Sequence, residues 1–304
     1  MSFWNVATAP ARRMLFPLSR EGRLARSRYN PTIQLMARKR GFTTRKAMHI
    51  APAEHGWRWM AAGWRLYRLS PGMWTLLVFT WWIVIALFNQ IPYLGPLATT
   101  IALPAFMMGF MAMCEELRHG RRLRPALLFV GFNRRLPALI GLGTLYLVAI
   151  FLVLAISALI DGGALLGWMM WARTPPETAL RDGSLLKSLL VAGTLSMPVF
   201  AAFWFAPILA AWDGMSATKS LFFSFFACLR NWRAFLIYGV VVALYATGFS
   251  VVVTLAAVAS GGHPAAVRGF MVAGTLVLLP ALFASFYVAY RDIFPHPDLT
   301  ASPA

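Results

Sequence analysis

Uncharged, mostly apolar side chains fill much of the chain beyond residue 68, in blocks without a single Asp, Glu, Lys or Arg: residues 69–114, 136–160, 188–212, 234–267 and 269–290. A helix needs roughly 20 apolar residues to cross the hydrocarbon core of a bilayer. The first block holds two crossings separated by the turn signal "NQIPYLGP", and each of the others holds one. None alternates apolar and polar positions as the strands of a membrane β-barrel do. The pattern predicts an all-α, polytopic membrane protein with six transmembrane helices.

Between crossings the pattern changes to a mixture of aromatics and arginines. In "GWRWMAAGWRLYRLSPGMW", helical winding puts Trp57, Trp59, Met60, Trp64, Leu66 and Tyr67 on one half and Arg58, Arg65 and Arg68 on an arc of the other. Such segregation suits a helix lying in the membrane interface. "RPALLFVGFNRRLPALIG" and "MSATKSLFFSFFACLRNWRAFLIYG" stand in the same place before later crossings. Each pair of crossings closes on a stretch with an early proline and a terminal acid: "LPAFMMGFMAMCEEL", "MPVFAAFWFAPILAAWDG" and "LPALFASFYVAYRDIF". The predicted unit is an interfacial amphipathic helix followed by a helical hairpin, used three times. Pro104, Pro198 and Pro280 fall roughly 17 to 22 Å before the acids Glu115, Asp213 and Asp292. That depth lies inside the bilayer and makes the three prolines candidate kink positions. The acids end the runs because a charge at mid-depth costs about 3 kcal/mol or more.

Composition sharpens the membrane reading. The chain has 304 residues, 59% hydrophobic and only 12% charged, where soluble domains carry about a quarter charged residues. Its formal charge of +18 resembles a nucleic-acid signal until it is mapped. With the N-terminus inside, 24 of the 28 Lys and Arg fall on the cytoplasmic side, leaving Arg173, Arg181, Lys187 and Arg268 outside. The basicity therefore reports orientation, with both termini cytoplasmic, and contact with anionic lipid head groups. Nucleic acid is not an expected partner. Arginine-rich, Ala-, Gly- and Pro-rich usage suits a GC-rich bacterial genome and an inner membrane. Three regions follow: residues 1–47, a basic disordered arm; residues 48–292, the six-helix membrane domain; and residues 293–304, a disordered tail. The arm has no secretory core, since "MLFPL" is too short. A translation start at Met48 is an equal alternative.

The stretches "GWRWMAAGWRLYR", "IPYLGPL", "LPAFMMGFMAM", "SALIDGGALLGWM" and "FWFAPILAAWDGMSATKSLFFSFFACLRNWRAFLIYG" together resemble the uncharacterised BPSS-type family of bacterial six-helix membrane proteins. The resemblance spans residues 51–290, and "FFSFFACLRNWRAF" is its most distinctive part. More distantly, the three-hairpin plan is similar to the membrane domain attached to some glycerophosphodiester phosphodiesterases. The catalytic barrel of those enzymes is missing, so the resemblance implies a fold and no hydrolase activity.

Catalytic constellations are scarce, and the chain is expected not to be an enzyme and to need no cofactor or metal. His49, His55, His119, His263 and His296 fall in predicted tails or loops, and "HIAPAEH" lacks the i, i+4 spacing of a helical zinc site. "GLGTL" is no phosphate loop; Gly141 and Gly143 suit close helix packing. Polar groups within the crossings are hydroxyls and amides, which weakens an ion-coupled transport reading. Asp161 in "SALIDGGALLGWMMW" is a low-ranked polar site, readable as a helix-ending Asp-Gly-Gly turn or as a group holding a polar head group. Cys114 and Cys228 read as packing residues, with reversible acylation as the alternative. The candidate contact surface is Trp57, Arg58, Trp64, Arg65, Arg68, Arg230, Trp232 and Arg233. It would engage membrane lipids, another membrane protein or a second copy. A transporter or channel for a small amphiphile, with a cavity near the three prolines, is the alternative function.

Overall fold

Proline and short-turn chemistry set the helix starts. α1 (His55–Tyr67) breaks at Leu69–Ser70, and Pro71 opens α2 (Pro71–Phe88) at a position where its missing N–H costs nothing. Tyr93 at φ 60° turns the chain into α3 (Leu94–Arg118). A 3-10 helix (Pro125–Asn133) follows, and Arg135, left-handed at φ 51°, leads into α4 (Leu136–Asp161). Next come α5 (Ala164–Trp171), α6 (Glu177–Arg181), α7 (Ser184–Trp204) and α8 (Ala206–Trp212). The chain closes with α9 (Ala217–Arg230), α10 (Trp232–Ala259) and α11 (Pro264–Ile293). This computed structural model describes residues 48–295 other than Arg134 and Ala172. The expectations for residues 1–47 and 296–304 lie outside the described residues.

All regular structure among the described residues is helical. Six helices are long and apolar enough to cross a membrane: α2, α3, α4, the joined α7–α8, α10 and α11. The shortest has 18 residues and the longest 30, about 27 and 45 Å at the helical rise. They match the six crossings read from the five uncharged blocks of the sequence.

Packing is concentrated at one end, here called the basic end. α3 is buried mainly from Pro104 to Leu117 and α11 from Pro280 to Ile293, while α10 buries only Ala234 and Tyr238. Phe110 of α3 stacks on Phe283 of α11 at 4.1 Å, and Trp81 of α2 meets both rings edge-on. Phe205, at the α7–α8 break, packs on Phe286 and Phe294. A smaller cluster at the other end joins α4, α5, α6 and α7 through Val153, Leu165, Ala179 and Leu185. There the Ser188 hydroxyl donates to the Ser157 carbonyl at 2.8 Å.

The three segments expected to be alike differ from one another. α1 packs along α11 and α10, and its face of Gly56, Trp59, Met60, Gly63 and Tyr67 is buried in protein. The expected aromatic half is therefore split: Trp59 is 2% exposed, whereas Trp57 and Trp64 point outward at 51% and 38%. Glycine is the reason. A Cβ at Gly63 would lie 2.4 Å from the backbone nitrogen of Ser285, so only a residue without one lets the helices meet. The second segment is the 3-10 helix, laid on α3 with Leu128 and Gly131 buried. The third, α9, turns a row of large apolar groups outward: Phe222, Phe226 and Leu229. At the other boundary, Ile293 and Phe294 are buried, so the packed unit extends past the expected limit at residue 292.

Asn231, between α9 and α10, fastens the segment preceding α1. Its Oδ1 accepts the Ala51 N–H at 2.7 Å, and its Nδ2 donates to Ala227 O at 2.9 Å and His49 O at 3.4 Å. The side chain is 1% exposed. Asn231→Ala should cost about 2 kcal/mol through the orphaned buried amide. Faster limited proteolysis around residues 48–53 would accompany that loss, and an unchanged digestion rate and melting temperature would contradict it.

Candidate functional site

Three carboxylates from distant parts of the chain are each met by a donor on α11 or α1. Glu115, near the end of α3, accepts from the Tyr287 hydroxyl. Asp213, just after α8, lies 3.4 Å from the Tyr290 hydroxyl. Asp292, near the end of α11, accepts the Trp59 Nε1–H at 2.8 Å and faces His55 Nδ1 at 2.7 Å. Tyr287 and Tyr290 are one turn apart, so a single stripe of α11 reaches both α3 and the α8 terminus. The acids that end the three returning runs thus act as fastening points at the basic end.

The contact residues read from the sequence are all exposed. Arg58 pairs with Glu54 at 2.9 Å, and its side chain is half exposed. Trp64 packs its ring 5.3 Å from Tyr67, while Arg65 and Arg68 are exposed. Arg230 is exposed at the end of α9. Trp232 is 55% exposed at the start of α10, with the Arg233 guanidinium 5.5 Å from its ring centre. The first turns of α1 and α10 meet where Gly56 abuts Ala234. That contact brings the helices carrying the two halves of the set together, although the halves are 162 or more residues apart in sequence.

Of the three prolines, Pro104 and Pro280 lie at the starts of the buried stretches of α3 and α11. Pro198 is exposed within α7, and the break in that crossing falls later, at Phe205 before Pro207. Ser224 satisfies the break by accepting the Phe205 N–H and donating to Ala201 O, both at 2.8 Å. Asp161 accepts the N–H groups of Gly163 at 3.0 Å and Leu165 at 2.8 Å. With Gly162 and Gly163 both at positive φ, it turns the chain and caps α5.

A probable inner membrane protein of Burkholderia thailandensis is 35% identical to this chain over 248 residues, covering 80% of the chain and 92% of the relative. The chain belongs to this family of bacterial inner membrane proteins. No family model matches it and no solved structure does, so the distant likeness to the phosphodiesterase membrane domain gains no support.

As a multi-pass inner membrane protein, the chain presents apolar surface that a soluble protein would hide. α10 and α11 diverge around an open cleft of about 620 Å³ lined by Leu244, Tyr245, Gly248, Phe249, Gly274 and Leu278 among others. Its lining includes none of the three prolines, of which Pro104 and Pro280 are buried and Pro198 is exposed. Among the described residues no group of three or more His, Cys, Asp or Glu is placed to hold a metal. Both cysteines are buried. Burial pushes the Cys228 thiol up to about 12, so almost no thiolate exists near neutral pH. Neither cysteine of the folded protein should react with maleimide at pH 8, and both should react in denaturant. Rapid labelling of the native protein would contradict this packing.

Proposed function

We propose that this protein is a non-enzymatic membrane component that holds its basic end against anionic lipid head groups at the cytoplasmic face, with both termini on that side. The observation that carries the reading is the division of α1. Its small and bulky apolar residues are spent on α10 and α11, while Trp57, Arg58, Trp64, Arg65 and Arg68 remain outward. Tryptophan beside arginine is the combination that sits at head-group depth, with the ring at the apolar boundary and the guanidinium on phosphate. Trp232 and Arg233 repeat the pair on α10. The orientation is supported by the distribution of Lys and Arg.

The test is lipid retention by the intact protein in nanodiscs, read by native mass spectrometry after detergent extraction. Reversing Arg58, Arg65 and Arg68 to glutamate should cut phosphatidylglycerol retention by roughly a hundredfold, at about 1 kcal/mol for each basic residue near the surface. Phosphatidylcholine retention should change little. Equal retention of phosphatidylglycerol by the variant would overturn the reading, and loss of a co-purifying protein instead would replace lipid by a membrane partner.

A further inference from the structure

α9 is amphipathic in the reverse sense of a water-facing helix. The side packed on α7 and α8 carries Ser220, Ser224, Ala227 and Cys228, all buried. Its hydroxyls are satisfied internally: Ser220 donates to Ala217 O, and Ser224 is occupied at the α7–α8 break. The outward side carries Phe222 at 59%, Phe226 at 39% and Leu229 at 53% exposure. The Phe222 and Phe226 rings lie 4.6 Å apart and form one patch. Small polar groups inward and large apolar groups outward are favourable only where the outside is less polar than water.

The connections of α9 identify that outside. Residues 213–216 separate it from the end of one membrane span, and Asn231 alone separates it from the start of the next. Both ends of the 14-residue helix are thus tied to spans at the same face, which keeps it at membrane level. Lys219 and Arg230, both exposed, flank the patch on α9, Arg233 follows on α10 just past the break at Asn231, and α9 itself contains no acid. That charge complements phosphate.

We propose that α9 lies in the bilayer interface at the basic end. Phe222, Phe226 and Leu229 sit among the acyl chains, and Lys219, Arg230 and Arg233 sit on the phosphates of anionic phospholipid. The lipid charge rests on the function proposed above; the immersion of the phenylalanine face does not.

Two measurements separate these parts. Spin labels placed at Phe222→Cys and Leu229→Cys in the full chain, reconstituted in phosphatidylglycerol nanodiscs, report depth by power saturation. The buried native thiols leave the introduced one as the reactive site. Both labels should be relaxed by oxygen and shielded from an aqueous nickel chelate, whereas Arg122→Cys, in the exposed loop after α3, should be nickel-accessible. Nickel access at 222 and 229 would overturn the proposal, as would shielding from both reagents, which indicates cover by a partner or a second copy. In the lipid-retention assay, reversing Lys219, Arg230 and Arg233 together should lower phosphatidylglycerol retention at least roughly tenfold; unchanged retention would overturn the phosphate contact. Loss confined to this variant removes the α1 reading and leaves α9 standing. Loss confined to the Arg58, Arg65 and Arg68 variant does the reverse.

Discussion

Replacing Gly63 with leucine should force α1 away from α11 and lower the melting temperature of the purified protein by about 10 °C. The backbone dictates this outcome. A Cβ at this position meets Ser285 N at 2.4 Å, its Cα at 2.6 Å and its Cβ at 2.7 Å. A main chain inside a packed helix cannot yield by an ångström, so the helices must separate. Separation also loosens Trp59, whose ring packs on Phe235 at 5.3 Å and Tyr238 at 6.0 Å. Overpacking of this kind costs about 3 kcal/mol. Gly239→Leu is the control, because nothing lies within 4 Å of its added Cβ. Equal melting temperatures for the two variants would show that α1 does not pack on α11 through this glycine.

Asp292→Ala should be nearly as damaging. It removes the acceptor of the Trp59 indole N–H and the partner of His55. Trp59 is 2% exposed, so water cannot readily replace the carboxylate. An orphaned buried donor and a lost hydrogen bond to a charged group together cost about 2 to 4 kcal/mol. Asp292→Asn, which keeps an acceptor oxygen, should lose about half as much. A double-mutant cycle with Trp59→Phe isolates the contact, because removing the indole should matter less once its acceptor is gone. Strict additivity would contradict the assigned hydrogen bond.

The six crossings were legible because lipid exposure leaves a one-dimensional record: long tracts without charge, ended by acids or arginines. Close approach at Gly143 was also legible, where a Cβ would fall 2.1 Å from Ile101 O, but Gly141 faces only Ala217 at 3.9 Å. Two small residues in one tract do not reveal which faces a neighbour. The same ambiguity governs α1. Its aromatic half was visible in the periodicity, and so was the signal that part of it is buried in protein, since Gly56 and Gly63 share the stripe of Trp59, Met60 and Tyr67. Likewise the serines at 220 and 224 aligned with Ala227, Cys228 and Asn231 mark the packed side of α9, leaving its phenylalanines outward. The acids stood out as helix ends, but their partners did not. Tyr287 meets Glu115 across 172 residues of chain, and no local spacing records such a pairing. Proline was an incomplete guide because a kink depends on which neighbour satisfies the freed carbonyl. At the fourth crossing Ser224 does that work beside Phe205, seven residues beyond Pro198.

The central claim is that six apolar helices thread an inner membrane with the arginine-rich end in the cytoplasm. Paired fusions of green fluorescent protein and alkaline phosphatase measure it directly when placed after residue 304, within residues 119–124 and within residues 173–183. Fluorescence at the first two sites and phosphatase activity at the third is the expected result. Phosphatase activity at the carboxyl terminus or within 119–124 would contradict it.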